Sequence, residues 1–466
     1  MMRSLWKSQS GSAIPIVAVA MMAVIGSAGI AIDMGRVQVV QSRLQNSIDA
    51  AGLAAGSVIS TENPSTQVNK YFYANYPVGY MGSTITNLVV TPNNDNTELT
   101  INATGTVPTS FMRIFGVSQV NIQASSKITR AQRGLELVLV LDVTGSMNDS
   151  AGGGVTKMQA AKNASNSLLN ILYGTENTSE NLWVGLVPFS QAVNIGSSRS
   201  TWTTNTALNW GTTSWGGCVE ARETSGRDVT DDPPSVAAFP KYYWTCHTSY
   251  NDWFGTNTDR DNCSTSGTIR YRSGLGIGLG PNKACPATPI TSLVAEKNTV
   301  VAGINSLTPN GNTHTVLGIS WAWRLLSPRW RGIWGAGMNV NGLPLDYNTP
   351  LMNKAVVFMT DGDNTIDNSN RGAYGYLSNG RLGTTNQSNA ITQLNNRTVT
   401  TCGSMKANGI IIYTIAFGTS FSNASRNMLR SCASKPEFYF ESPTGSDLQT
   451  VFKRIGDSLA NLRVSQ

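Results

Sequence analysis

LVLVLDVTGSMND, residues 137–149, sets five aliphatic residues in a row and then stops at an acid, Asp142, with hydroxyls at alternate positions after it, Thr144 and Ser146. An aliphatic run with no polar alternation reads as a strand buried on both faces, which a sheet covered by helices on both sides accommodates. In such an open parallel sheet, ligands sit beyond the carboxyl ends of the strands, so the abrupt change at Asp142 marks both a strand end and a candidate site.

Working downstream, apolar runs keep alternating with helical segments. TKMQAAKNASNSLLNILY, WVGLVPFS, HTVLGISWAWRLLS, AVVFMTDGD, GIIIYTIAFG, EFYF and a closing GSDLQTVFKRIGDSLANL succeed one another in order. This alternation predicts a doubly wound α/β domain over residues 135–464. The interval 196–300 breaks the rhythm, being rich in Gly, Ser, Thr and Asn, and reads as a large insertion within that domain. Trp202, Trp210, Trp215, Trp244 and Trp253 give it apolar anchors. Its cysteines, Cys218, Cys246, Cys263 and Cys285, allow three pairings, and spacing does not choose among them. Cys402 and Cys432 fall on the helices before and after the GIIIYTIAFG strand, so a bridge between them is expected if both helices share a sheet face, a buried reduced pair being the alternative.

Upstream, AIPIVAVAMMAVIGSAGIAI, residues 13–32, runs twenty positions without a charge, the length of a bilayer-spanning helix. Arg3 and Lys7 precede it, so residues 1–12 are expected in the cytoplasm and the bulk of the chain outside. A cleaved secretory signal is the competing reading. Val37, Val40, Leu44, Ile48 and Leu53 continue at helical spacing, which carries the helix outward as an amphipathic one. Then STITNLVVTP, the turn-rich NNDN, TELTINATGTVP, a short helical SFMRIFGV and SQVNIQASSKI predict a hairpin, a short helix and a third strand. Residues 33–129 thus read as a pilin-like module of a helix laid on a small antiparallel sheet, with RAQRG as the linker to the α/β domain.

Composition excludes several classes. The formal charge is +7, but basic residues are scattered, so no nucleic-acid stripe is present. No G-x-x-x-x-G-K-[ST] occurs, and the GLGIGLG run at 274–280 lies inside the insertion rather than between a strand and a helix, so no nucleotide site is expected. The six cysteines and two histidines show no zinc spacing.

Three loops beyond the apolar runs carry hard oxygen donors: Asp142, Thr144 and Ser146 in the first, Thr313 in NGNTHTVLG, and Asp361 in AVVFMTDGDN. Taken singly, Asp142, Thr144 and Ser146 could serve only to cap the next helix. Asp363 and Asp367 read as solvated loop acids, and His314 as a structural residue at the start of an apolar helix. In order, the three loops resemble the von Willebrand factor A domain and its metal-ion-dependent adhesion site. That resemblance implies one Mg²⁺ (or Mn²⁺) held by Asp142, Thr144, Ser146, Thr313 and Asp361, with the acids acting partly through water. Mg²⁺ takes a near-octahedral oxygen shell at about 2.0–2.1 Å, and a partner's acidic residue would complete it, which makes the site adhesive rather than enzymatic.

SGSAIPIVAVAMM and AIDMGRVQVVQSRLQNSIDAAGLAAG resemble the N-terminal region of the Flp pilus-assembly TadE/TadG-like family. TadG-like members join this anchor to a von Willebrand-type domain. The resemblance implies a tight-adherence pilus assembly or adhesion factor, anchored in a bacterial inner membrane and facing the periplasm, whose partner is a pilus or envelope component. Family relatives processed as prepilins carry Glu five residues after the cleavage-site Gly. Here the position five after Gly11 is Ile16, so a permanent anchor is expected. A metal-independent envelope scaffold with a pilin-like stalk is the alternative function.

Overall fold

The computed structural model describes residues 13–56, 63–92, 98–129, 134–204, 214–243 and 282–462, and these divide into two compact units.

The first unit begins with α1, Ala13–Gly56, 44 residues without a break. Its C-terminal half repeats Val37, Val40, Leu44, Ile48, Ala51 and Ala55, all buried, at the three- and four-residue steps that keep side chains on one helical stripe. That stripe packs on a three-stranded antiparallel sheet of order β1-β2-β3, with β1 Thr84–Pro92, β2 Glu98–Pro108 and β3 Gln119–Thr129. Leu99, Ile101, Ala103 and Val107 of β2 alternate toward α1, joined by Ile122 and Ala124 of β3. A second helix, α2, Pro64–Asn75, adds Val68 and Phe72 to the same core. It is started by the Asn63 side chain, which accepts from Ser65 N, and by proline in the first turn. By contrast Ile16, Val17, Val19, Met21, Met22, Val24 and Ile25 at the other end of α1 are exposed. Twenty uncharged residues at 1.5 Å each cover roughly 30 Å, the thickness of a bilayer's hydrocarbon core.

The second unit holds a six-stranded sheet and helices on both of its faces. In chain order its principal elements are β4 Gly134–Asp142, α3 Lys157–Tyr173, β5 Leu182–Phe189, β6 Val193–Asn194, β7 Cys218–Val219, β8 Thr291–Val294, α4 Lys297–Asn305, α5 Thr315–Leu326, α6 Ala336–Val340, β9 Met352–Thr360, α7 Gln387–Ala407, β10 Ile411–Phe417, α8 Asn423–Cys432, β11 Tyr439–Ser442 and α9 Gly445–Leu462. The sheet order is β11-β10-β9-β4-β5-β8. Every residue of β4 is buried. Leu137, Leu139 and Leu141 enter the core under α3, α4 and α9, while Val138 and Val140 enter the core under α5, α7 and α8. A two-sided apolar strand is therefore a consequence of period-two side chains meeting two helical layers.

The expected doubly wound α/β sheet is present, with one difference. β8 runs antiparallel to β5, and it lies inside the 196–300 interval that reads as an insertion. Its four residues close the sheet edge after the chain returns from that excursion, a role too short to show as an apolar run in sequence.

The described part of the interval is fused to the domain through aromatic rings. Trp202 lies 5.3 Å from Trp330 and 5.1 Å from Trp334, and Phe239 lies 4.8 Å from Trp321. Cys218 is bonded to Cys285, and Cys402 to Cys432, which ties α7 to α8 as expected. Trp210, Trp244, Trp253, Cys246 and Cys263 lie outside the described residues.

Candidate functional site at the carboxyl ends of β4 and β9

β4 is the first strand of its sheet and sits in the middle of it, with β5 on one side and β9 on the other. The loops that leave β4 and β9 therefore open side by side, as at a topological switch point. Leu141 pairs with Met359 in register, which sets Asp142 beside Thr360 and brings Asp361 to the same edge.

Asp142 is fully buried. One carboxylate oxygen accepts from Thr144 N at 2.8 Å and the other from the Thr360 hydroxyl at 2.7 Å. Ser146 Oγ donates to Asp361 Oδ1 at 2.7 Å and lies 3.0 Å from Thr144 Oγ1, which is 3.4 Å from the same Asp361 oxygen. Asp142, Thr144, Ser146 and Asp361 are thus brought together. Burial, and then the charge of Asp361, push the Asp142 carboxyl up to about 7, against the pull of its hydrogen bonds from Thr144 and Thr360. Asp142, whose charge is disfavoured beside Asp361, and the hydroxyls around the two acids form an oxygen-lined recess. An oxygen-only donor set of this kind fits a hard divalent cation. Among the described residues no group of three or more His, Cys, Asp or Glu side chains gathers to hold an ion, so hydroxyls would have to complete the shell.

The third loop is docked by its backbone. Gly145 N donates to Gly311 O at 2.9 Å, Asn310 N to Val143 O at 2.6 Å, and Asn312 N to the Gln191 side chain at 2.6 Å. Gly311 has φ +83°, and a Cβ there would meet Gln191 Oε1 at 3.0 Å, so glycine is required for this close approach. Thr313, just before α5, is buried, and its N donates to Thr365 Oγ1 at 3.1 Å. Its hydroxyl takes no part in the hydrogen bonds that join the other four residues.

One functional candidate escapes the sequence reading. Lys157 Nζ lies 2.9 Å from Asp361 Oδ2 and 3.8 Å from Asp149, with only 11% of its side chain exposed. It opens α3, next to the N-cap Thr156. A cation is disfavoured at a helix N-terminus unless an acid faces it, and that misplacement is the signal a sequence reading could have used.

Asp363 and Asp367 stay out of the cluster. Asp363 accepts from Ser422 N at 3.0 Å, and Asp367 holds its own loop and the Asn312 amide, the latter at 3.2 Å. His314 is buried, its N donates to Ser190 O at 3.3 Å, its Nδ1 has no partner, and burial depresses its pKa to about 4. It is a neutral ring packed among neighbours, 5.7 Å from Tyr374.

Residues 11–58 match a protein family described as "Putative Flp pilus-assembly TadE/G-like". A comparison with curated proteins found no match. Among solved structures, the von Willebrand factor domain of the type V pili tip protein Mfa5 from Porphyromonas gingivalis is 11% identical, covering 72% of this chain and 97% of that one, with a TM-score of 0.38. The pilus adhesin SpaC from Lactobacillus rhamnosus GG is 11% identical over 81% of this chain and 34% of its own, with a TM-score of 0.37. Proximal thread matrix protein 1 from the mussel byssus, solved with a zinc-occupied MIDAS motif, is 12% identical over 72% and 47%, with a TM-score of 0.33. This chain spans less than half the length of the last two, and likeness at this level says nothing of what it binds. The α/β fold itself stands on the central β4 and the order of its sheet. Residues 11–58 are thus similar to the Flp pilus-assembly TadE/G-like family, and beyond them the chain carries a doubly wound α/β domain with acids and hydroxyls at the carboxyl edge of its central strand.

Proposed function

We propose that this protein is a membrane-anchored, extracytoplasmic assembly or adhesion factor of a Flp-type pilus system, and that it is not an enzyme. In this reading α1 crosses the inner membrane once, residues 1–12 are cytoplasmic, residues 33–129 form a pilin-like stalk, and the α/β domain faces the periplasm. Two disulfides support an oxidising compartment. The observation that carries the adhesive role is the meeting of Ser146, Thr144 and Asp361 oxygens within 3.4 Å, beside a second acid, Asp142, whose charge is disfavoured.

Asp142, Thr144, Ser146, Thr313 and Asp361 would hold a divalent cation, Mg²⁺ or Mn²⁺, which when bound supplies an open position for an acidic side chain of a pilus or envelope partner. Thr360 and the Thr144 amide orient Asp142, Lys157 balances Asp361, and Gly311 lets the Thr313 loop approach. The test is calorimetric titration of Mg²⁺ and Mn²⁺ into the full chain in nanodiscs, beside Thr313→Ala and Asp361→Asn. Saturable binding that is weaker in Thr313→Ala and lost in Asp361→Asn supports the reading. Equal heats from all three chains would refute it.

Lys157 favours one alternative. Its ammonium already offsets Asp361, so the domain could bind partners as a scaffold without metal. Partner capture that survives a chelator would select this second reading.

A further inference from the structure

The loop between β2 and β3 presents an apolar surface that neither the core nor the candidate site uses. Ile114 is 80% exposed and Phe115 62%, and Phe111 and Val117 are exposed beside them. The loop is closed at its base, where Thr109 N donates to Ser118 O at 3.1 Å and the Thr109 hydroxyl donates to Val117 O. Its one charged side chain is Arg113, also exposed.

The loop lies along α1 at a defined depth. Asp33, the first charge after the apolar run 13–32, accepts N–H bonds from Ser110 at 3.0 Å, Phe111 at 2.8 Å and Met112 at 2.7 Å. From that anchor the loop descends beside the helix. A Cβ on Gly29 would meet Phe111 at 2.7 Å, and one on Gly26 would meet Phe115 at 3.0 Å. Gly29 and Gly26 stand three and six residues inside the last residue of the uncharged run, or about 4.5 and 9 Å at 1.5 Å per residue. Apolar side chains inserted at the headgroup and acyl boundary reach roughly 5–10 Å, with a basic residue snorkelling back to the headgroups.

We propose that residues 109–118 are a second membrane contact: an apolar wedge of Phe111, Ile114, Phe115 and Val117 that enters the leaflet on the folded side of the α1 span, locked to the helix by Asp33 and carrying Arg113 toward the lipid headgroups. The occupant is lipid because the helix against which the loop packs is itself in the bilayer at that depth, so the inference rests on the reading of α1 as a membrane span. The wedge fixes the tilt and rotation of the first unit, which a single helix leaves free.

The test uses the full chain in phosphatidylcholine and phosphatidylglycerol vesicles. Phe115→Cys and, separately, Met21→Cys are labelled with a polarity-sensitive fluorophore under non-reducing conditions, with the parent chain as labelling control. The expected result at 115 is a blue-shifted emission, quenching by lipids with a nitroxide high on the acyl chain, and loss of quenching by aqueous iodide, while the label at 21 is quenched by deep nitroxides. Iodide quenching at 115 with lipid quenching at 21 overturns the wedge and leaves the span standing. Shielding at 115 from both lipid and iodide overturns it in favour of a protein cover. Iodide quenching at both positions overturns the span, and the wedge with it.

Discussion

Asp361 touches both kinds of partner at the site, since one of its oxygens meets Ser146 and Thr144 and the other meets the Lys157 ammonium. Removing the ammonium leaves two buried acids facing each other without compensation. Lys157→Met should therefore destabilise the α/β domain by roughly 3 kcal/mol, the scale for breaking one half of a buried pair. If a cation binds there, added Mg²⁺ should raise the melting temperature of Lys157→Met more than that of the parent, because a ligand stabilises the state that binds it. Identical melting curves with and without Mg²⁺ in both chains would defeat that prediction. His314 gives a separate handle on pH. Its folded pKa is about 4, below the ordinary histidine value of 6.5, because its ring is buried. Between pH 6.5 and about 4 the unfolded chain binds a proton that the folded chain refuses, so stability is full above pH 6.5 and falls as pH drops through that window. The integrated loss is about 2–3 kcal/mol at one shift unit per 1.36 kcal/mol. Urea unfolding followed by tryptophan emission reports this domain, since every tryptophan but Trp6 lies beyond residue 133. His314→Gln should flatten the slope between pH 4 and 6.5, and an unchanged slope would assign acid sensitivity to other groups.

At the scale of elements, α1 carries two different faces on one continuous helix. Its C-terminal stripe from Val37 to Ala55 is bound to the sheet, while its other end keeps apolar residues exposed. Gly29 sits where Phe111 crosses the helix, so Gly29→Leu should lift the β2–β3 loop away without touching the stripe beyond it. The check is limited proteolysis of the full chain in nanodiscs, with faster cleavage expected near Arg113 and an unchanged far-UV spectrum. A cleavage rate equal to the parent's would mean that the loop does not depend on that crossing. α7 and α8 are joined across the β10 strand by Cys402–Cys432, which closes a loop with a sequence separation of 30. Chain entropy assigns such a closure roughly 3–4 kcal/mol. The double variant Cys402→Ala with Cys432→Ala should lose that much in urea unfolding under oxidising conditions, and no loss would mean that packing of the two helices alone sets the stability.

For the whole molecule, the decisive experiment is partner capture from envelope extracts with and without chelator, since ion-dependent capture separates an adhesion site from a scaffold. The layout behind that question was largely legible in the chain. Uninterrupted aliphatic runs force a sheet covered on both faces, a charge-free stretch of twenty residues makes a helix long and apolar enough to cross a bilayer, and acids and hydroxyls just past the aliphatic runs mark where a parallel sheet opens. These are local consequences of periodicity and polarity, so residues 137–149 alone declared a strand and the point where it ends. Only the tertiary structure decided what depends on distant segments meeting. The register of β4 on β9 put Thr360 against Asp142, and the turn of the chain into α3 set Lys157 on Asp361. The short β8 found the sheet edge after a long excursion, and the loop at 109–118 came to lie on Gly26 and Gly29. None of these is written in a period of two or 3.6, because each is a contact between residues far apart in sequence whose sign and worth are set by burial.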